Sequence, residues 1–468
     1  MTTLPGQQIP VWLKNALMGG FLVFFCWGGV IAYWRMHRSS PSANEFLLYL
    51  LAMPAALLLV CWGGSKLAAS FTAAPTAKPK AQPGPASSVP PEAPPLAILA
   101  AALRSPHGAS VDELAMAIAG NKARADLDRD LVDEDGFPVM TARSADAGDD
   151  MLREEVSEWL SRNGMRELRF SEEQWRALTL ASAVTADLIM RATEEFVTSD
   201  NKAPMLQLVP IFPVEWHGDH RRAAGMWLRH TAGQFGWPFD CVNVAADTTV
   251  SGAEITPVAV FGRLAQAAAA NATPPLALIV ACASHIGQQT VDEWAANGTL
   301  FTSSRAQGAI PGEGAAGVLV TGRGRAESSD SMAYVLLDRI EEVQGDAASD
   351  NARRADPVLL GDMAERVCRR VAIGVGDISM VIADTGHRQQ PMFELMGFTS
   401  AAMPQLDATE DMVHVGFASG TCGAVPFITG LALARYHVLE REAPALYISN
   451  DDAPRRAVMV VRSAISLP

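Results

Sequence analysis

Basic residues are the first shortage. Lys and Arg number 37 against 51 Asp and Glu, a formal charge of −14. Phosphate backbones are held by basic faces, so non-specific binding to DNA or RNA is excluded. Cysteines are also few, six in 468 residues, and no two stand in a C-x-x-C pair. That pattern excludes a zinc-ribbon framework and reads as free thiols in a reducing compartment. The motifs G-x-x-x-x-G-K-[ST], G-x-S-x-G and H-E-x-x-H are absent, which removes the commonest nucleotide, esterase and metalloprotease readings. Charged residues make up only 19% and apolar ones 49%, a globular composition with room for a membrane part and none for extensive disorder.

Two long uncharged runs open the chain. Residues 15–34 hold no charge, and a helix of that length covers about 30 Å, the hydrocarbon thickness of a bilayer. Trp12 and Lys14 precede the run, and Tyr33, Trp34 and Arg35 close it as interfacial anchors. Residues 46–64 form a second uncharged run, kinked by Pro54, and a cleaved signal peptide does not fit two successive spans. Residues 1–71 are therefore expected to be a two-helix transmembrane hairpin, without the ionisable groups a transport path needs. Lys14, Lys66, Lys78 and Lys80 against Arg35 and Arg38 place both ends in the cytoplasm, as for a bacterial inner-membrane protein. Residues 72–95 contain eight prolines and six alanines, an extended tether with no core of its own.

Residues 96–468 read as one large α/β unit, because short apolar runs alternate with longer amphipathic ones. Strands are predicted at 96–102, 205–212, 276–281, 317–320, 334–340, 378–383, 446–448 and 457–461. Helices are predicted at 110–119, 149–162, 171–195, 221–234, 256–270, 288–296, 358–371 and 425–440. The third helix starts at Ser171 with Glu173 close behind, and Trp175, Leu178, Leu180, Val184 and Leu188 recur at helical spacing.

Several segments resemble a known family. IPGEGAAGVLV (310–320) is similar to the loop and strand of the β-ketoacyl synthases, in the thiolase-like superfamily. LAILAAALRSPHGASVDELAMAIAGNKAR (96–124), DISMVIADTG (377–386), GFASGTCGAVPFITGLALARYHVLEREAP (416–444) and RRAVMVVRSA (455–464) follow that family's order. The resemblance implies a five-layered αβαβα fold of two pseudo-equivalent halves, and usually a homodimer. Gly312, Gly314 and Gly317 also satisfy G-x-G-x-x-G, but a strand is predicted after the glycines, so a dinucleotide fingerprint is rejected. Gly312, Glu313 and Gly314 are read as a structural loop, with Glu313 capping backbone donors.

The resemblance also implies residues that are missing. Condensing enzymes raise a cysteine nucleophile on a helix N-terminus and hold the thioester with two histidines, or His and Asn. The corresponding stretch 245–262 has no cysteine. The first histidine loop reads Ala383-Asp384-Thr385-Gly386, and the second reads Ser419-Gly420-Thr421-Cys422-Gly423-Ala424. Three residual candidates for chemistry remain: Cys422 just before a helix, His387 as its partner by family analogy, and Cys282 with His285 three residues on. For Cys282 a buried strand-end thiol is the favoured alternative. EWHGDH (215–220) has metal-binding residue types, but a polar strand-to-helix turn is preferred. The acidic run 126–136 fails the EF-hand register and is read as a solvated loop. No cofactor or metal is expected. Trp216, Trp227 and Trp237 are noted as binding hot spots if exposed and as core otherwise.

Two functions follow as expectations. The first is a membrane-tethered, catalytically dead thiolase-like protein that binds another protein. Anchor, tether and degenerate synthase-like domain together look like the adaptors that load lipase effectors onto the bacterial type VI secretion apparatus. Its partner would then be a secreted lipase effector or a secretion spike protein. The alternative is a membrane-associated acyl-transfer or condensing enzyme using Cys422 or Cys282.

Overall fold

A computed structural model describes residues 94–464, apart from 201, 246–255, 271–274, 329–331, 345–356 and 452–454. The chain divides into two units at Pro90 and Pro91, and every described residue lies in the second. The first part runs β1 (Leu96–Arg104), α1 (Val111–Ala119), β2 (Asp126–Val132), β3 (Pro138–Thr141), α2 (Asp150–Arg162), α3 (Glu172–Phe196), β4 (Leu206–Ile211) and α4 (Gly218–Gln234). Then come β5 (Val242–Val244), α5 (Pro257–Ala270), β6 (Leu276–Ser284), α6 (Gln288–Ala296), β7 (Glu313–Gly322) and α7 (Arg323–Ala326). The second part runs β8 (Val335–Leu337), β9 (Glu341–Gln344), α8 (Pro357–Arg370), β10 (Met380–Ala383), α9 (Gln389–Ala402) and β11 (Met412–His414). It closes with α10 (Val415–Ser419), α11 (Val425–Arg441), β12 (Ala445–Ser449) and β13 (Arg455–Ser463).

The strand order shows the duplication that the residues conceal. The first half lies as β1-β7-β6-β4-β5 and the second as β8-β13-β12-β10-β11. In each half the last strand in sequence, β7 or β13, is antiparallel to both neighbours, while the three beyond it are mutually parallel. The two first strands join the halves, with Leu96 opposite Leu337.

Three apolar clusters define the layers. One packs α3 and α4 on Leu206, Leu208, Leu278 and Val280. A second packs α5 and α11 against inward residues of both halves, including Ile279, Val318, Ile382, Tyr447 and Met459. The third packs α8 and α9 on Val381, Leu446, Ile448 and Val460. Alternate residues of each strand enter different clusters, so both sheet faces are covered and five layers result. Local chemistry starts the helices. Ser171 and Gln174 form a reciprocal capping box at α3, the partner being Gln174 rather than Glu173.

The transmembrane hairpin is corrected at this point. Among the described residues no helix is long and apolar enough to cross a membrane, and 15–34, 46–64 and the linker up to residue 93 lie outside the described residues. Neither the hairpin nor the inner-membrane placement with two spans is part of the fold described.

Candidate functional site

The tight loop before β7 is built around one carboxylate. Glu313 is fully buried, and Arg176 of α3 donates to it from Nε at 2.8 Å and Nη2 at 2.6 Å. Ser144 donates its backbone N–H at 2.7 Å and Ser284 its hydroxyl at 2.9 Å. Glu313 therefore accepts from one distant backbone donor, and its main partner is a guanidinium 137 residues earlier. Gly312 lets two backbones meet, because a Cβ there would lie 2.0 Å from the Ser419 carbonyl oxygen. Across this contact Thr421 N–H donates to the Ile310 carbonyl at 2.8 Å, and Ala142 N–H to that of Pro311 at 2.8 Å. β7 starts at Glu313 and contains Gly314 and Gly317, so the glycines lie in a strand and do not open a helix.

The loops that the resemblance aligns with the histidine loops of condensing enzymes are held by structural bonds. At the end of β10, Asp384 is buried and accepts from Asn450 N–H at 2.9 Å, Asp451 N–H at 3.2 Å and the Ser449 hydroxyl. Burial, with Asp451 nearby, pushes its carboxyl up to about 6. Beside it the Thr385 hydroxyl donates to Asn450, whose Nδ2 donates to the Pro391 carbonyl at 3.0 Å and to Glu394 at 3.2 Å. Glu394 in turn pairs with Arg456 at 2.7 Å. In the other loop Thr421 is held by its backbone, and its carbonyl lies 2.8 Å from His285 Nδ1. Of the stretch 245–262, residues 246–255 lie outside the described residues, and α5 begins at Pro257.

The thiol candidates are placed for packing. Cys422 is 1% exposed with Sγ 3.7 Å from the Ala283 carbonyl, and burial, reinforced by Glu313, raises its thiol far above the usual range. Cys282 is buried in the cluster under α3 and α4, and burial pushes its thiol up to about 12. His387 Nε2 lies 2.7 Å from the Gly308 carbonyl and its ring meets Phe301 edge-on. His285 bonds Thr421 and its ring lies 5.2 Å from that of Trp294. No hydrogen bond joins Cys422 to His387 or Cys282 to His285 among the described residues.

The remaining sequence features resolve simply. EWHGDH spans the turn after β4 and the first residues of α4, with Trp216 stacked on Phe212 and His220 Nε2 at 2.8 Å from the Arg169 carbonyl. Among the described residues no group of three His, Cys, Asp or Glu is placed to hold a metal. Trp216, Trp227 and Trp237 are 6%, 1% and 1% exposed, so all three are core. The acidic run is corrected from loop to hairpin. β2 and β3 pair, and Asp128 is buried against Arg143 at 2.8 Å and the Thr141 hydroxyl at 2.7 Å. These partners hold the Asp128 carboxyl well below the usual range despite its burial.

The arrangement matches solved ketosynthases. The ketosynthase from module 6 of the bacillaene synthase of Bacillus subtilis 168 is similar with a TM-score of 0.53 and 13% identity, over 79% of this chain and 72% of that one. The oxazolomycin ketosynthase domain of Streptomyces albus JA3453 gives 0.53 and 11%, over 80% and 75%. The ishigamide ketosynthase/chain length factor gives 0.50 and 15%, over 79% and 99%. No family description and no curated protein matches the sequence. The described unit has the thiolase-like α/β fold.

Proposed function

We propose that this chain, built on the ketosynthase fold, is a catalytically degenerate relative of those enzymes that works by binding another protein. The observation that carries the reading is Asp384. It stands in the first histidine loop, buried, with both carboxylate oxygens engaged by the 449–451 segment. A nucleophile-activating or thioester-holding group must face substrate, and this one faces its own loop. The buried, high-pKa thiols of Cys282 and Cys422 support the same reading, because the thiolate is the reactive form. A narrower form is an adaptor presenting a secreted lipase effector or spike protein to the type VI secretion apparatus, and it rests on the degenerate synthase-like domain alone.

A pull-down of the full chain from its host, scored by mass spectrometry, tests the proposal. Stoichiometric recovery of one protein, with unmodified Cys282 and Cys422 after incubation with acyl thioesters, is the expected result. An acyl mass increase on either thiol, lost on Cys422→Ala or Cys282→Ala, overturns it in favour of the condensing enzyme. Size-exclusion chromatography of the same preparation reads the homodimer that the resemblance implies.

A further inference from the structure

The β2–β3 hairpin has features that the fold does not use. It stands outside the large sheet as a separate two-stranded ribbon. A small cluster holds it down, formed by Leu131 and Val139 with Ile286, Val291 and Leu300. The rest of the ribbon displays large apolar side chains to solvent, with Phe137 65% exposed, Leu127 59% and Val132 36%. Exposed carboxylates stand among them, Asp126 beside Leu127 and Glu134 and Asp135 next to Phe137. At its other end the ribbon borders a concavity of about 330 Å³, lined by His107, Arg124, Leu127, Arg129 and Thr141 among others.

Apolar side chains on a short exposed ribbon cost solubility unless something covers them part of the time. Hairpins of this size do not stand alone and gain nothing in stability from an exposed phenylalanine at the turn. A strand partner is disfavoured by the ribbon's own bonding. The amides of Asp130 and Leu131 are taken by Asp128 Oδ1 at 2.9 and 3.1 Å. Val132 is bonded through both N–H and C=O to the Gln288 side chain, at 3.3 and 2.7 Å. The surface must then be read through side chains. At the turn its chemistry is apolar anchors beside Glu134 and Asp135, whereas at the Leu127 end Asp126 and Asp130 are matched by Arg124 and Arg129. Phe393, Met396 and Val358 on α8 and α9 are also exposed, but nothing there selects an occupant.

We infer that the β2–β3 hairpin is the docking surface for a protein segment that carries apolar anchors flanked by Lys or Arg. This deepens the protein-binding reading above and rests on it. Phe137 and Val132 take the anchors at the turn, Leu127 takes a further one, and Glu134 and Asp135 attract the basic flanks.

The test places p-benzoylphenylalanine at Phe137 of the full chain in its host and, in a separate preparation, at Phe393. Cross-linked peptides are then sequenced by mass spectrometry. A cross-link from position 137 to a net-basic segment with apolar residues supports the inference, with at least a tenfold drop in yield on E134K/D135K at unchanged thermal midpoint. A cross-link from 137 to a neutral or acidic segment, or to a second copy of this chain, overturns it. Cross-linking from 393 alone overturns this surface and leaves the protein-binding reading standing. No cross-link from either position overturns both.

Discussion

Arg176 and Glu313 form a two-point ion pair, 2.8 Å from Nε to Oε2 and 2.6 Å from Nη2 to Oε1, with Glu313 wholly out of solvent. The pair ties α3 to the start of β7, and Arg176 also donates to the Ser144 carbonyl at 3.2 Å. Removing one partner strands a buried charge and unpairs the Ser144 amide and Ser284 hydroxyl. Glu313→Ala is expected to lose about 3–5 kcal/mol of stability. Glu313→Gln keeps the shape and loses less. Arg176→Met combined with Glu313→Leu recovers part of the loss, leaving a coupling energy of about 0.5–3 kcal/mol. Urea titrations of the parent, Arg176→Met, Glu313→Leu and the double variant check this. Additive single losses would show that the pair does not act as a unit.

Gly312 tests the loop contact independently. An added Cβ meets the backbone oxygen of Ser419 at 2.0 Å, with no side chain able to give way. Gly312→Ala should cost about 3 kcal/mol, at the upper end for overpacking. Gly136 in the β2–β3 turn is a control of the opposite kind, with φ +82° and open space around it. Gly136→Ala should lose only the left-handed backbone preference, about 1–2 kcal/mol. A smaller effect at Gly312 than at Gly136 would mean that the two backbones separate easily.

Much of the fold is legible in the sequence because burial on both faces leaves uninterrupted apolar runs. All eight strands and eight helices expected from the pattern are present, with ends shifted by a few residues. α9 escapes because Pro391 and Gly397 read as breakers. Pro391 sits in the first turn, where it is tolerated, and a Cβ at Gly397 would meet Pro357 at 2.7 Å. β2 escapes because DLDRDLV does not alternate, and Asp128 is made acceptable as a core residue only by Arg143, fifteen positions away. The duplication is carried by strand order and not by residue identity, so no repeat is visible. At the candidate site, Glu313 is legible from the tightness of its turn. Arg176, Ser284 and Asn450 are not, because their partners lie 137, 29 and 65 residues away.

The buried thiols give a chemical prediction. With its thiol pushed to about 12, Cys282 is thiolate in about one molecule in ten thousand at pH 8. Cys368 is also buried, with its thiol raised to about 11, and Cys422 stands far above the usual range. Native protein treated with iodoacetamide should carry label at the half-buried Cys241 before any of these three. Unfolding in guanidinium should make all four react alike. Peptide mapping reads the order, and fast native labelling of Cys422 would reopen the enzymatic reading.

Asp384 makes stability depend on pH in a direction opposite to that of an ordinary ion-paired carboxylate. Its folded-state pKa, about 6, lies above its ordinary value of 3.8 because burial and Asp451 disfavour the charge. The folded protein therefore binds the proton more tightly than the unfolded chain, and the ionised carboxylate is a penalty above pH 6. That penalty shrinks as pH falls from about 6 and is gone only below the unfolded value of 3.8, near pH 3, where both states are protonated. The groups facing Asp384 are Asp451, itself paired with Arg388 at 2.9 Å, the Ser449 hydroxyl, the amides of Asn450 and Asp451, and the Tyr447 hydroxyl. Asp384→Asn keeps an acceptor for the two amides, and the Ser449 hydroxyl can turn to accept from the new NH₂ group. The variant should therefore be more stable than the parent at pH 7.5, with the gap closing as pH falls from 6 and absent near 3. Urea midpoints measured on both proteins between pH 3 and 8 decide the matter, because contributions from groups that do not interact with Asp384 cancel in the difference. A gap that is constant with pH, or that opens on the acid side, would show that Asp384 is held as an ordinary stabilised carboxylate. The ionised carboxylate would then stabilise the loop instead of penalising it.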